Sequence, residues 1–458
     1  MDMKQVTLMV SLVLLCLATA PGEASAAGFF LPGHGVKPMG RGGAFVTSGG
    51  GDLNSLWHNP ANLAGMEELT LTVDLALIDL AFEFQRAPVT NEDGSVTEFD
   101  RVSNEAAPIT NPQILIGGPL PVKGLSWAFG IYAPYMTGVT FPEDGPQRYV
   151  LIDNAASLLA YQHLAIGYQL NDSVRIGAGI QNLASNFVLV NKTSAYTGLY
   201  GRPEDHDLDI LTRITMRKMF TPSGNFGVWV RLMPVLNAAL SVQLPAHINV
   251  KEAPFEAKLP DNPFFANAEI KGDTLEGKLL FPLMVRFGLG LELEKFDYEL
   301  AVVYENWSAF DEIQANPNDI TVEGVPGVGS IAVAPLTVPL GYRDTFSVRN
   351  GMELDISPAI QARAGYIYES SAVPDEFYSV FLADSTKHVF TLGGTYATEG
   401  WELDAGFAYH LMPSRSISNS QVRQINPTDT ANENTTIVGN GDYSQRYMIF
   451  GTGFTKRF

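Results

Sequence analysis

"FDYELAVVYENW", residues 296–307, decides the fold. In an extended chain, successive side chains point to opposite faces. Phe296, Tyr298, Leu300, Val302 and Tyr304 then share one face, and Asp297, Glu299, Ala301, Val303 and Glu305 the other. "IQARAGYIYES" (360–370) and "WELDAGFAYHL" (401–411) divide in the same way, with Glu402, Asp404 and His410 opposite Trp401, Leu403 and Phe407. A soluble sandwich turns its apolar face inward and fills it with Val, Ile and Leu. Here the aromatic face is backed by charges on successive strands, the pattern of a transmembrane barrel with a wet lumen. The chain closes on "YMIFGTGFTKRF" (447–458), where Phe450, Phe454 and Phe458 oppose Gly451, Gly453 and Thr455. In water such a terminal strand invites aggregation; in lipid it closes a barrel.

Residues outside these strands agree. Lys4, an apolar run from Val6 to Ala20 and an A-x-A site at Ala24 and Ala26 read as a signal peptide over 1–26, with a mature start at Ala27. The only cysteine, Cys16, lies inside it, so no disulfide holds the mature chain. The formal net charge of −20 argues against a nucleic-acid partner. Beyond the signal, no apolar run reaches the ~18 residues of a spanning helix. A membrane form of this chain is therefore a closed barrel.

Turn signals set the strand count. Tight turns fall near 119–123, 171–172, 234–235, 294–295, 355–358 and 398–400, alternating with longer polar stretches at 85–110, 135–155, 191–222, 251–275, 308–341, 370–386 and 412–442. This spacing gives fourteen strands over 67–458, an all-β antiparallel barrel with both ends on one side, the sixth strand lying near 223–233. Residues 27–66, "AGFFLPGHGVKPMGRGGAFVTSGGGDLNSLWHNPANLAGM", are too rich in glycine for a barrel strand. A plug of short helices inside the lumen and a Gly-rich linker both fit them. "GHGVKPMG" lacks the G-x-G-x-x-G spacing of a dinucleotide site.

"AGFFLPGHGVKPMGRGGAF" and "DLNSLWHNPANLAGM" resemble the opening of the FadL family of outer-membrane transporters for long-chain fatty acids and other hydrophobic molecules. "APYMTGVTFPEDGPQRYV", "FPLMVRFGLGLELEKFDYELAVVYENWSAFDEI" and "DTFSVRNGMELDISPAIQARAGYIYESSAVPDEF" resemble later parts of that family in the same order. The resemblance implies a fourteen-stranded monomeric barrel in a bacterial outer membrane with an N-terminal hatch. It implies no cofactor, no metal and no catalysis. Phe29, Phe30 and Leu31 map onto a lumenal pocket, and Arg41, Asn59, Pro60 and Ala61 onto the hatch. Pro134, Tyr135, Met136 and Gly138 map onto a kink in the third strand through which substrate leaves sideways into lipid. Two positions depart from the family pattern: Met136 stands where glycine is usual, and Lys456 where an outward apolar residue is usual. Pro134 still removes a ladder donor, and Lys456 can snorkel.

The energetics of such a substrate favour an apolar site. About 14 methylenes at about 0.8 kcal/mol each give roughly 11 kcal/mol gross, and one charge-assisted hydrogen bond adds about 1.5–3 kcal/mol. Arg148 is the candidate contact for a carboxylate, set against pairing with a nearby acid. A general porin is the alternative and has no use for the 27–66 segment; a hydrocarbon-specific channel is a second. The sequence has no G-x-S-x-G elbow or H-E-x-x-H pair, which argues against a barrel lipase or protease.

Overall fold

The computed structural model describes residues 34–458 except 92, 136–137, 197, 199, 326–328, 382 and 427–434. The signal segment, Phe29, Phe30, Leu31 and Met136 lie outside the described residues.

The chain forms a 14-stranded antiparallel barrel with short helical elements inside. Its strands are β1 (Thr70–Arg86), β2 (Ile109–Pro119), β3 (Leu125–Tyr135), β4 (Leu158–Asn171) and β5 (Val174–Ser194). Five strands follow in two segments each: β6 (Asp209–Lys218, Pro222–Met233), β7 (Leu236–Gln243, Ala246–Lys258), β8 (Thr274–Phe281, Met284–Glu292), β9 (Phe296–Glu305, Glu312–Pro317) and β10 (Leu336–Pro339, Thr345–Ser357). The last four are β11 (Ile360–Glu369), β12 (Lys387–Thr398), β13 (Trp401–Leu411) and β14 (Gly441–Arg457). Each pairs with the next, and β14 returns to β1 from Arg86↔Gly441 to Thr70↔Arg457, so the sheet has no free edge.

All six tight turns fall where the sequence places them, between β2 and β3, β4 and β5, and so on to β12 and β13. The long connections gather at the other end. The outward face is apolar: Leu75, Ile114, Ile180, Phe287, Leu392 and Phe450 are all exposed. Phe450, Phe454 and Phe458 point outward while Thr455 is buried, as the terminal alternation requires.

Two features differ from the sequence reading. The strands run farther past the lipid than the turn signals indicate: Asp209–Lys218 continues β6 inside the stretch read as a connection, paired with β5 and with β7. Crossing takes only about 9–11 residues. Beyond that height the outer face meets water, so Arg213 and Arg217 stand exposed and the apolar period is lost. The second difference concerns the charged inner face. It does not border a wet lumen at this level, because a plug fills it.

The plug contains α1 (Val36–Gly40), α2 (Ser55–His58) and a 3-10 turn (Pro60–Leu63). It presses against the wall backbone to backbone. A Cβ on Gly365 would sit 2.2 Å from the Gly42 nitrogen, and one on Gly177 would sit 2.3 Å from the Pro60 carbonyl carbon. Glycine here is a requirement of close approach. Gly365→Ala forces plug or strand to move, at a cost of about 1–3 kcal/mol. The expected result is a lower temperature for the heat-induced shift in gel mobility, and an unchanged temperature would contradict the contact.

Candidate functional site: an apolar lumen above a plug and beside a break in the wall

The inner-face charges hold the plug. Glu299 on β9 accepts the backbone N–H of Val46 (2.6 Å), Thr47 (3.1 Å) and Ser48 (3.0 Å), and the Thr47 hydroxyl at 2.8 Å. Lys37 of α1 bridges Glu402 on β13 (2.5 Å) and Asp52 within the plug (2.9 Å). Although burial opposes the charge on Asp52, Lys37 and the hydrogen bonds from Asn54 hold its carboxyl below the usual range. Asp74 on β1 accepts Val36 N–H at 3.0 Å, and Trp229 on β6 donates its indole N–H to Thr47 O at 3.1 Å. Arg363 is spent on Glu353 and on Asp404, 3.4 Å away.

The hatch residues named from sequence all lie in this interface. Arg41 is buried, donates to Ser48 Oγ at 2.8 Å and stands 3.9 Å from Glu353. Asn59 caps the 3-10 turn, its Oδ1 accepting Ala61 N–H at 3.1 Å and its amide donating to Val46 O at 2.8 Å. Pro60 begins that turn, where its missing N–H costs nothing. Ala61 is fully buried.

Above the plug an apolar cluster fills much of the lumen, beside buried charges at Glu305, Arg349, Glu369 and Lys387. One continuous cluster runs from Leu56 and Trp57 through Tyr135, Phe281, Met284 and Val303 to Trp307, Phe310, Tyr342, Tyr378 and Tyr443. A porin presents a polar interior instead. Trp57 packs edge-on to Tyr132 (5.9 Å) and Tyr135 (6.3 Å), and Tyr135 lies 4.4 Å from Phe281.

Beside this cluster the wall is broken. The β2–β3 ladder runs from Pro119↔Ser126 to Ile114↔Ile131 and stops. β1 nevertheless stays paired with β2 to Ile109, and β3 with β4 to Tyr135, with a register shift between Tyr132 and Tyr135. Outward and inward positions alternate along β3 to Ile131; the next four residues, Tyr132, Ala133, Pro134 and Tyr135, are all buried. The strand has turned inward. Backbone groups in lipid must be satisfied, and two prolines remove donors here: Pro134 on β3 and Pro112 on β2. Asn111 supplies a side-chain donor instead, its amide reaching Ala133 O at 2.9 Å. Ile109 closes the far end, since a Cβ on Gly138 would meet its Cγ1 at 3.0 Å.

The plug reaches the break. Gln113 donates to Asn54 Oδ1 (2.8 Å) and Asp74 Oδ2 (2.9 Å), and the His34 ring packs on Tyr132 at 4.9 Å. Burial pushes the His34 imidazole down to about 4, against a hydrogen bond it donates to Gln113, so it is neutral near pH 7. His34, Val36, Asp74, Asn111 and Gln113 line a cavity of about 30 Å³, room for one water.

Arg148 lies elsewhere, in the outer loops. Its Nε is 2.7 Å from Asp209 Oδ2, and its terminal nitrogens reach Tyr149 Oη (2.7 Å) and Glu204 O (2.9 Å). Its guanidinium is thus engaged by its own chain. The sequence reading did not single out Asn111, Pro112, Gln113 or Trp57. Pro112 carried a signal, a proline within the strand "ITNPQILIGG". The others carried none, because their roles depend on elements far apart in the chain.

Among known proteins, the family model described as "Outer membrane protein transport protein (OMPP1/FadL/TodX)" matches residues 16–458. A 47 kDa outer membrane protein of Pasteurella multocida (strain Pm70) is 27% identical over 142 residues, 30% of this chain and 30% of that protein, so the match spans under a third of that relative's length. A FadL homologue of Pseudomonas aeruginosa superposes with a TM-score of 0.76 at 14% identity, over 94% of this chain and 100% of its own. The toluene transporter TodX of P. putida gives 0.62 at 13%, over 95% and 99%. At such identities the structural likeness is one of fold.

Proposed function

The chain belongs to the FadL/TodX family of outer-membrane transport proteins, barrels that pass hydrophobic molecules, and from that premise we propose that it takes long-chain fatty acids and releases them sideways into the bilayer. The observation that carries this reading is the break between β2 and β3, which adjoins the apolar cluster above a plug that fills the lumen. A substrate that enters the periplasm re-exposes each methylene to water at about 0.8 kcal/mol. A route through the wall avoids that cost. In this reading substrate passes from the outer loops down the apolar lumen to the plug. It then leaves between Ile109–Gln113 and Tyr132–Gly138.

The same reading assigns residues 27–66 to the hatch, Pro134 to Gly138 to the gate, and Phe29, Phe30 and Leu31 to the pocket end. Arg148 serves the outer loops, where opening its pair with Asp209 would free a cation for a carboxylate. A general porin is disfavoured by the lumenal filling. Reconstitution in liposomes tests the proposal. Labelled oleate should reach the bilayer at least tenfold faster than in protein-free vesicles, while ion conductance stays near baseline. Steady ion conductance without oleate uptake would instead mark a porin.

A further inference from the structure

The outer wall of the barrel carries two cations that its own chain leaves free. Arg213 and Arg217, on the upper half of β6, point outward, since Thr212 and Met216 take the inner face. Both are exposed, and neither makes a hydrogen bond or an ion pair among the described residues. Lys218 beside them is spent on Asn249 O at 2.7 Å. The register sets Asn186 of β5 against Arg217 and Val190 against Arg213. On the other side Glu256 of β7 stands opposite Arg213 without pairing to it. The acids Glu252, Glu256, Asp273 and Glu276 all lie toward β7 and β8, where Lys251 and Lys278 are also exposed and Lys278 is 3.7 Å from Glu276. Toward β5 the face is cationic: β5 contains no acid, nor does β6 between Leu211 and Lys218.

Their height above the hydrocarbon follows from the residues below them. Met219 and Phe220, next along β6, are exposed, as are Ile180 on β5 and Leu164 on β4. An outward apolar band of this kind marks the lipid. At its upper edge Asn182 donates to Gln162 Oε1 at 3.2 Å, and Asn186 follows one turn of the alternation higher, so amides line the boundary. At about 3.3 Å per residue, Arg217 stands about 7 Å along the strand above Met219, and Arg213 about 13 Å farther. A single plane of phosphates would meet only the lower arginine. Two guanidiniums at different heights, over a belt of amides, suit a head group that rises from the surface and carries anionic groups at more than one level. The chain's net charge of −20 repels such a polyanion at long range, so the contact has to be made by these residues locally.

We infer that the outward face of β4–β6 docks a phosphorylated glycolipid of the outer leaflet. Its acyl chains lie along Leu164, Ile180 and Phe220, its sugar hydroxyls meet the amides, and its phosphates are held by Arg217 and, one level up, by Arg213. Arginine suits this task because its planar fork takes phosphate oxygens in pairs and stays charged. The inference goes beyond transport: the site faces away from the lumen and is independent of which substrate passes. The competing arrangement is a divalent cation that bridges a phosphate to Glu252 or Glu256, and it would leave both arginines idle.

The test uses diphosphorylated lipid A, the same lipid with its phosphorylated core sugars, and each after phosphatase treatment. Binding to the full-length mature protein in detergent is read by native mass spectrometry with a chelator present. The variants are Arg213→Gln, Arg217→Gln and, as a control for the loss of one outward charge, Arg446→Gln on β14, which is also exposed. All are surface changes, so the heat-induced gel shift and oleate uptake should stay at parent values. The parent should bind both phosphorylated lipids more tightly than their phosphatase-treated forms, and raised salt should weaken that preference. Arg217→Gln should lose about fivefold for both phosphorylated lipids, and Arg213→Gln about fivefold for the core-bearing lipid alone. Arg446→Gln should change neither. If the parent does not distinguish phosphorylated from treated lipid, or if Arg213→Gln and Arg217→Gln bind as the parent does, the site is wrong. A loss in Arg446→Gln equal to theirs would reduce it to diffuse attraction. Loss of the parent's binding in chelator would hand the lipid to a divalent cation and the acids. None of these outcomes touches the transport reading, which oleate uptake tests separately.

Discussion

Oxidation of an Ile109→Cys, Gly138→Cys pair should stop uptake of a hydrophobic substrate, and reduction should restore it. The geometry favours the bond. A Cβ at 138 lies 3.0 Å from Ile109 Cγ1, the atom whose place a cysteine sulfur takes at 109, and disulfides join Cβ atoms about 3.5–4.5 Å apart. Cys16 is the only cysteine in the sequence and falls in the stretch read as a cleaved signal, so on that reading no thiol competes. The crosslink pins the entry of β2 to the segment leaving β3, so the unladdered stretch cannot widen. It leaves the outer loops and the upper lumen untouched. Surface binding of substrate should therefore persist while transfer to the bilayer falls at least tenfold, the measure being labelled oleate in liposomes before and after reductant. Uptake at the reduced-state rate in a fully crosslinked sample would remove the lateral route and favour passage past the plug.

How much of this was legible in the sequence depends on the range of the cause. Alternation is local, so "FDYELAVVYENW" announced both faces of β9, and Glu299, Ala301, Val303 and Glu305 are buried as it requires. Turn chemistry is also local, and all six short turns followed from it. What the inner charges do is not local. Glu299 looks like a lumen residue facing water until Val46, Thr47 and Ser48, some 250 positions earlier, supply its donors. The break in the wall was half visible. Pro134 pointed to β3, but the gap needs β2 as well, where Pro112 and Asn111 complete it. The upper strand extensions were hidden because the outward apolar period ends where the lipid ends, as at Arg213 and Arg217.

Removal of residues 34–66 should convert a nearly closed barrel into an ion-conducting pore. The ladder is continuous around the barrel apart from the β2–β3 break, and the plug adds no strand to it, so the wall folds without it. What remains inside at plug height is the set of side chains that held it. Asp74, Glu299, Glu353, Glu402 and Asp404 outnumber Arg175, Arg363 and Arg457 there, so the opened lumen should favour cations, as carboxylate rings do. Conductance in planar bilayers should rise by at least an order of magnitude, and reversal potentials in a salt gradient should show cation selectivity. Oleate uptake should fall, because the floor that directs an apolar molecule toward the gap is gone. Glu299→Ala makes a smaller version of the same change. It strands the N–H groups of Val46, Thr47 and Ser48, at about 1–3 kcal/mol for each group that water does not reach. Lys37, Asp74 and Trp229 still hold the plug elsewhere, so brief openings should appear over a closed baseline. If the folded deletion variant conducts no better than the parent, the plug is not what closes the lumen, and the apolar cluster above it must be the seal.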